Sequence, residues 1–261
     1  MSSLPIEVGT WPVLARELIR INDLDPTYTL IHRGRMLFGE DWANQFCLHM
    51  LMFYDVGEAA KAAVVDSGHF WDYVLDNFSV CKRGVERRHF KAANGLNSIA
   101  DLQQRIPDPS RALNVLSGRT LAEVAHNFST LRGFGPYFIW KACDYLDRCM
   151  GLPVDYSNAA KFLPSEPVKA AKHFWPDKSI GEAIAIVVDE IKQYLAPPTY
   201  DRPCNESEAE TVLCLMKGYF ITKVHVIGDG ILHNHLSFGD DPFNLRRLLP
   251  PQVDLYDWAR A

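Results

Sequence analysis

Residues 120–149 constrain this chain more than any other stretch. Thr120-x-x-Glu123 has the form of a capping box and opens a helix with Leu121, Val124, Ala125 and Phe128 turned inward. Leu131 to Pro136 then reads LRGFGP, a tight turn with glycines at 133 and 135. Pro136 suits the first turn of a second helix, where its missing N–H costs nothing. The turn predicts left-handed backbone at Gly133 or Gly135, a region that β-branched residues do not tolerate. Two helices must therefore meet at a glycine hairpin. The second helix starts with unpaired N–H groups, a natural seat for a phosphate oxygen. The pattern alone leaves two readings open, a DNA-gripping hairpin and a plain helix corner.

Helical periodicity dominates the rest. Ile180, Ala183, Ile184, Val187, Val188, Ile191 and Leu195 share one face and stop before Pro197-Pro198. Asp41 to Tyr54 reads as a strongly apolar helix, Gly57 to Val65 as an Ala-rich one and Phe70 to Phe78 as a short aromatic one. Asn205 caps a further helix running to about Tyr219. Only Ile221 to Ile227 alternates like a strand, and it stands alone. The expectation is an all-α protein. Ala196 to Pro203 (APPTYDRP) is the best linker, stiff and extended. It divides a helical core, residues 1–195, from a C-terminal helical layer, residues 196–261, packed on that core.

Composition excludes several classes. A net charge of −5 argues against a generally basic nucleic-acid coat, although affinity depends on where Lys and Arg cluster. The six cysteines contain no C-x-x-C pair, which reads as reduced thiols in a cytoplasmic protein. The first residues, MSSLPIEVG, lack the pattern of a signal peptide. The longest clean apolar run, about six residues at Ala183–Val188, is far short of a membrane span.

Two groups of residues carry candidate chemistry. Asp155 follows the hairpin, 22 residues after Gly133, in Leu152-Pro153-Val154-Asp155-Tyr156-Ser157-Asn158. It has two compatible roles, as a cap for the following turn and as a catalytic carboxylate. The segment Lys82-Arg83-Gly84-Val85-Glu86-Arg87-Arg88-His89-Phe90-Lys91 holds five basic residues and one acid, a local charge of +4. On a helix, Arg83, Arg87 and Lys91 form one cationic strip suited to phosphate, with a solvated face as the alternative. His225, His233 and His235 with Asp229, Asp240 and Asp241 match no familiar zinc spacing, and no metal site is expected. Tyr54 and Asp55 join two helices and are candidates for a substrate pocket, with a plain helix junction as the competing reading.

The hairpin followed by an aspartate resembles the helix-hairpin-helix DNA glycosylase superfamily. RGVERRHF (Arg83–Phe90), FYDVGEAA (Phe53–Ala60), the GFGP hairpin and VDYSNAAKFLP (Val154–Pro164) together resemble one branch, the phage amino acid:DNA transferases, or α-glutamyl/putrescinyl-thymine pyrophosphorylases. The likeness covers roughly residues 25 to 195. It implies a glycosylase-like helical fold and a protein working in the cytoplasm of a phage-infected bacterial host. The substrate it implies is double-stranded DNA whose thymine is replaced by pyrophosphorylated 5-hydroxymethyluracil. An amine (glycine, glutamate or putrescine) would join the 5-methylene carbon and expel pyrophosphate. The hairpin, Gly133, Phe134 and Gly135 with Tyr137, would grip DNA. Tyr137 stands where bifunctional glycosylases carry a Schiff-base lysine, which argues against imine chemistry there. Lys82, Arg83, Arg87, Arg88 and His89 would meet the pyrophosphate. Asp155 would take a proton or stabilise positive charge, and Tyr54, Asp55, Asn158 and Lys161 would line the pocket. No cofactor is implied; Mg²⁺ is a candidate companion of the pyrophosphate.

Two other classes compete. A monofunctional glycosylase would use Asp155 and water to cut the base–sugar bond, and the missing hairpin lysine and iron–sulfur cysteines permit that. It leaves the arginine cluster without a task. A non-catalytic DNA-binding module needs only the hairpin and the basic segment, and has no use for Asp155.

Overall fold

The computed structural model describes residues 10–20, 22, 24–84, 87, 90–222, 241 and 244–249. Among these are twelve α-helices and no strand; two isolated backbone bridges are the only β-type pairings there. The helices are α1 (Trp11–Arg20), α2 (Pro26–Phe38), α3 (Glu40–Phe53), α4 (Val56–Ala62), α5 (Phe70–Asn77) and α6 (Ala92–Arg105). After them come α7 (Ala112–Leu116), α8 (Leu121–Phe128), α9 (Pro136–Asp144), α10 (Ser165–Phe174), α11 (Ile180–Ile191) and α12 (Glu206–Met216).

The apolar run near residue 50 becomes the central helix. Every residue of α3 from Trp42 to Phe53 is buried, as expected of a helix hydrophobic on all sides. Against it pack α2, α4, α7 and α9. Asp55 caps α4 by accepting the Glu58 N–H at 3.0 Å, which starts that helix one residue before the sequence expectation. A second group forms around α12, which contacts α10, α11 and α1. Capping boxes at Ser179/Glu182 and Asn205/Glu208 fix the starts of α11 and α12. One continuous apolar core runs through both groups.

Two local expectations change. Residues 196–203 do not form an extended spacer. Leu195 pairs with Pro203, and the Ala196 N–H donates to the Arg202 carbonyl at 2.8 Å, closing the segment into a loop. Inside it the Pro197–Pro198 peptide is cis. Nor do Arg83 and Arg87 share a helical strip: the described residues around them lie outside any α-helix, and the two guanidiniums reach different carbonyls. The lone strand expected at 221–227 lies outside the described residues beyond Thr222, and Ile221 closes a π-turn after α12. His225, His233, His235, Asp229 and Asp240 also lie outside them.

Candidate nucleic-acid interface and active site

The hairpin between α8 and α9 builds one wall of a cleft of about 500 Å³. Gly133 has φ +77°, and a Cβ there would stand 3.2 Å from Ser98 Oγ. Gly135 differs: its φ of −86° and ψ of −177° are open to any residue, and a Cβ there would meet nothing within 4 Å. Only Gly133 therefore needs glycine for its backbone. Gly135 instead leaves empty space at the start of α9, where no side chain caps the helix. Phe90, Tyr137 and Phe138 give the cleft aromatic walls, and Asn94, Asn97, Ser98 and Arg132 make it polar.

Arg87 lies within this cleft lining but is almost wholly buried. Its Nε donates to the Leu51 carbonyl at 2.8 Å and its Nη1 to the Gly133 carbonyl at 2.5 Å, while Nη2 also reaches the Leu51 carbonyl. The rings of Phe138, Phe134 and Phe90 lie 3.6, 4.5 and 4.6 Å from the guanidinium carbon. Burial pushes its pKa down to about 9. Arg83 is spent similarly: it donates to the carbonyls of Phe90, Cys81 and Phe78 at 2.7, 2.7 and 2.5 Å. Both arginines fasten backbone ends together rather than facing outward as a strip.

Behind Tyr137 lies a buried ionic cluster. The Tyr137 hydroxyl donates to the Tyr54 hydroxyl at 2.8 Å. Tyr54 ends α3 in the left-handed region, at φ 54° and ψ 42°. One turn along α9, Lys141 donates to Asp25 Oδ2 at 2.8 Å and to the Tyr28 hydroxyl at 2.6 Å. Tyr28 donates in turn to Asp144 Oδ2 at 2.5 Å, and Ser207 to Asp144 Oδ1 at 2.8 Å. Burial opposes charge on Lys141, yet Asp25 and the surrounding hydroxyls hold its pKa well above the ordinary value. Burial raises Asp144 to about 6 and Glu210, also coupled to this group, to about 7.

Asp155 lies on another side. Its backbone pairs with Arg119 and Leu121 at the N-terminal end of α8, and its Oδ1 accepts the Ser157 N–H at 2.8 Å. The carboxylate is exposed and does not line the hairpin cleft. Its neighbour Tyr156 packs on Trp140 of α9, with ring centroids 5.5 Å apart, so the loop and the cleft share one helix. Asn158 and Lys161 stand exposed in the same loop region. Asp55 is buried at the start of α4, and Lys82 is exposed. Arg88 and His89 lie outside the described residues.

The structure thus joins Tyr54, Arg87, Gly133, Phe134, Gly135 and Tyr137 in one region and leaves Asp155, Asn158 and Lys161 in another. Sequence reasoning missed Lys141, Asp25, Tyr28 and Asp144. One signal was present: a lysine inside the otherwise apolar segment PYFIWKA, four residues after Tyr137. No group of three or more metal-ligating side chains occurs among the described residues.

The model of the family described as amino acid:DNA transferase matches residues 32–221. The chain belongs to this family. The match takes in the whole cleft, Tyr54, Lys141 and Asp155. Two curated relatives agree. A putrescinyltransferase of Delftia phage PhiW-14 is 29% identical over 248 residues, covering 88% of this chain and 80% of the relative. A glycinyltransferase of Pseudomonas phage PaMx11 is 30% identical over 233 residues, covering 76% and 79%. The protein is therefore a transferase, and its fold is all-α across the described residues. No described helix is long and apolar enough to cross a membrane.

Proposed function

We propose that this transferase joins a small amine to a modified thymine in double-stranded DNA, the base being 5-hydroxymethyluracil that carries pyrophosphate. The amine nitrogen forms a bond to the 5-methylene carbon, the carbon–oxygen bond to pyrophosphate breaks, and the nitrogen releases a proton. The observation that carries the reading is the family match across an aromatic cleft built on a glycine hairpin. The open side of Gly135 and the uncapped start of α9 suit a backbone phosphate. Phe90, Tyr137 and Phe138 offer faces beside which an extruded pyrimidine can pack.

In this proposal Arg83 and Arg87 shape the site from within, since their N–H groups serve backbone carbonyls. The pyrophosphate falls instead to Arg132 of the cleft, with Lys82, Arg88 and His89 of the basic segment as further candidates. Asp155 takes the proton that the amine loses, a role that rests on the family resemblance of its loop. Mg²⁺ enters only as a companion of the pyrophosphate, whose oxygens are its natural ligands. The two relatives are named for different amines, putrescine and glycine. The amine here belongs to the same class.

The test is nucleoside mass spectrometry after incubating the protein and each of three amines (glycine, glutamate and putrescine) with DNA bearing the pyrophosphorylated base. An adduct with one amine supports the reading, and release of free base would replace it with glycosylase chemistry. Asp155→Asn should cut the single-turnover rate by at least about a hundredfold while DNA affinity stays within about tenfold. Full activity in that variant would leave Asp155 as the cap of its own loop.

A further inference from the structure

The Tyr54–Tyr137 pair has features that packing alone does not call for. Tyr54 is not a glycine, yet it holds left-handed backbone at the end of α3, a conformation that costs about 1–3 kcal/mol and concentrates at functional sites. Its ring is fixed edge-on against Tyr137 and Phe138, with centroids 5.8 and 5.9 Å away. The two hydroxyls bond to one another at 2.8 Å. Two bonded hydroxyls consume one of their two protons, so the pair retains one to donate. Tyr137 lines the cleft, which brings the pair to the substrate side.

A fixed cation stands behind the pair. Lys141 Nζ lies 5.8 Å from the Tyr137 ring centroid and is held there by Asp25 and Tyr28. Burial pushes the Tyr54 hydroxyl well above the ordinary tyrosine range, and Lys141 works against that rise. The phenols therefore stay neutral near pH 7, fitted to donate hydrogen bonds and unfitted to act as bases. A nearby cation strengthens such donors toward an anion.

We propose that the Tyr54–Tyr137 hydroxyl pair is a hydrogen-bond donor to the pyrophosphate oxygen that separates from the 5-methylene carbon, with Lys141 as the positioning residue that polarises it. The inference rests on the function proposed above. As the carbon–oxygen bond breaks, its electron pair moves onto that oxygen, and a donor already in place stabilises the growing charge. The departing oxygen and the entering nitrogen take opposite sides of the carbon in an in-line displacement. A donor pair for the first complements a carboxylate for the second.

The experiment measures single-turnover transfer on pyrophosphorylated DNA at saturating amine for Tyr54→Phe, Tyr137→Phe and the double variant. Binding to unmodified DNA and thermal unfolding are read on the same proteins. The expected result is a rate loss of about tenfold to a hundredfold in each single variant, with DNA affinity within about twofold. The double variant should be little worse than either single one, because the hydroxyls act as a unit. Phenylalanine variants that fold and keep the wild-type rate would overturn the proposal. Equal losses in rate and DNA binding would also overturn it, by reassigning the pair to the DNA grip. If Lys141→Met folds, it should lose rate and Lys141→Arg should recover part of it; a folded Met variant at full rate would remove Lys141. Should wild-type protein form no adduct, the proposed function itself fails, an outcome distinct from all of these.

Discussion

Arg87 and Lys141 are two buried cations on either side of the same aromatic wall, and they are compensated in opposite ways. Arg87 has no ion-pair partner among the described residues: carbonyl oxygens and three phenylalanine rings replace its water, and its pKa falls to about 9. Lys141 sits among carboxylates and phenols, and its pKa rises. Neutral dipoles hold a cation as a fastener whose strength does not vary with pH below its own pKa. A set of ionisable groups holds a cation whose surroundings titrate. The difference shows that the number of basic residues near a cleft says little about how much positive charge it presents.

Four measurements sharpen or break this comparison. Lys141→Met should have the largest effect. It strands Asp25 and Asp144 without their cation, and breaking a buried pair in this way typically costs about 3–5 kcal/mol. The loss, read from denaturant midpoints, should shrink near pH 5 as Asp144 protonates; a loss independent of pH would refute the ionic account. Arg87→Met comes next, at about 2–3 kcal/mol, because the Leu51 and Gly133 carbonyls lose their donors. That loss should be the same at pH 5 and pH 7.5. Binding should weaken equally on modified and plain DNA, whereas a selective loss on pyrophosphorylated DNA would make Arg87 a ligand of the leaving group.

The hairpin glycines should separate more finely. Gly133→Val should destabilise by about 1–3 kcal/mol, since φ +77° and the contact with Ser98 both oppose a branched side chain. Gly135→Val should leave thermal stability within about 0.5 kcal/mol yet weaken duplex binding, because its Cβ enters the space kept for a phosphate. Unchanged DNA affinity in a folded Gly135→Val protein would reduce the hairpin to a corner. The smallest effect concerns the wild-type protein. Asp144 and Glu210 have folded pKa values near 6 and 7, above those of an unfolded chain, so the folded state binds their protons more tightly. Their contribution is fully present below about pH 4 and is lost as pH rises through 6 to 7. The denaturant midpoint should fall between pH 5.5 and 7.5, and Glu210→Gln should flatten that fall.

Sequence made the local half of this molecule readable. The Thr120 cap, the turn at Gly133 and the starts of α11 and α12 depend on residues within a few positions of each other, so short patterns contain them. The all-α class followed from periodicity for the same reason. What escaped depends on distant partners. Asp25 meets Lys141 across 116 residues, and no pattern in either neighbourhood announces the other. The arginines of the basic segment look available for phosphate until the ends of α3 and α5 arrive with unpaired carbonyls. Leu195 and Pro203 looked like the ends of a rigid spacer because proline content reports stiffness, and the closure between them is a tertiary event.

The tie that Arg87 makes between Leu51 and Gly133 also bears on the order in which the molecule assembles. Its two partners lie 36 residues before it and 46 residues after it. During synthesis the last turn of α3 must wait for Arg87 to arrive before its carbonyl is satisfied. The hairpin emerges later and finds that guanidinium already seated. The hairpin helices can form from local signals alone, but the position of the Gly133 carbonyl is inherited from the first half of the chain. A hairpin fragment beginning after residue 90 would keep its turn and lose the fastener that aims it.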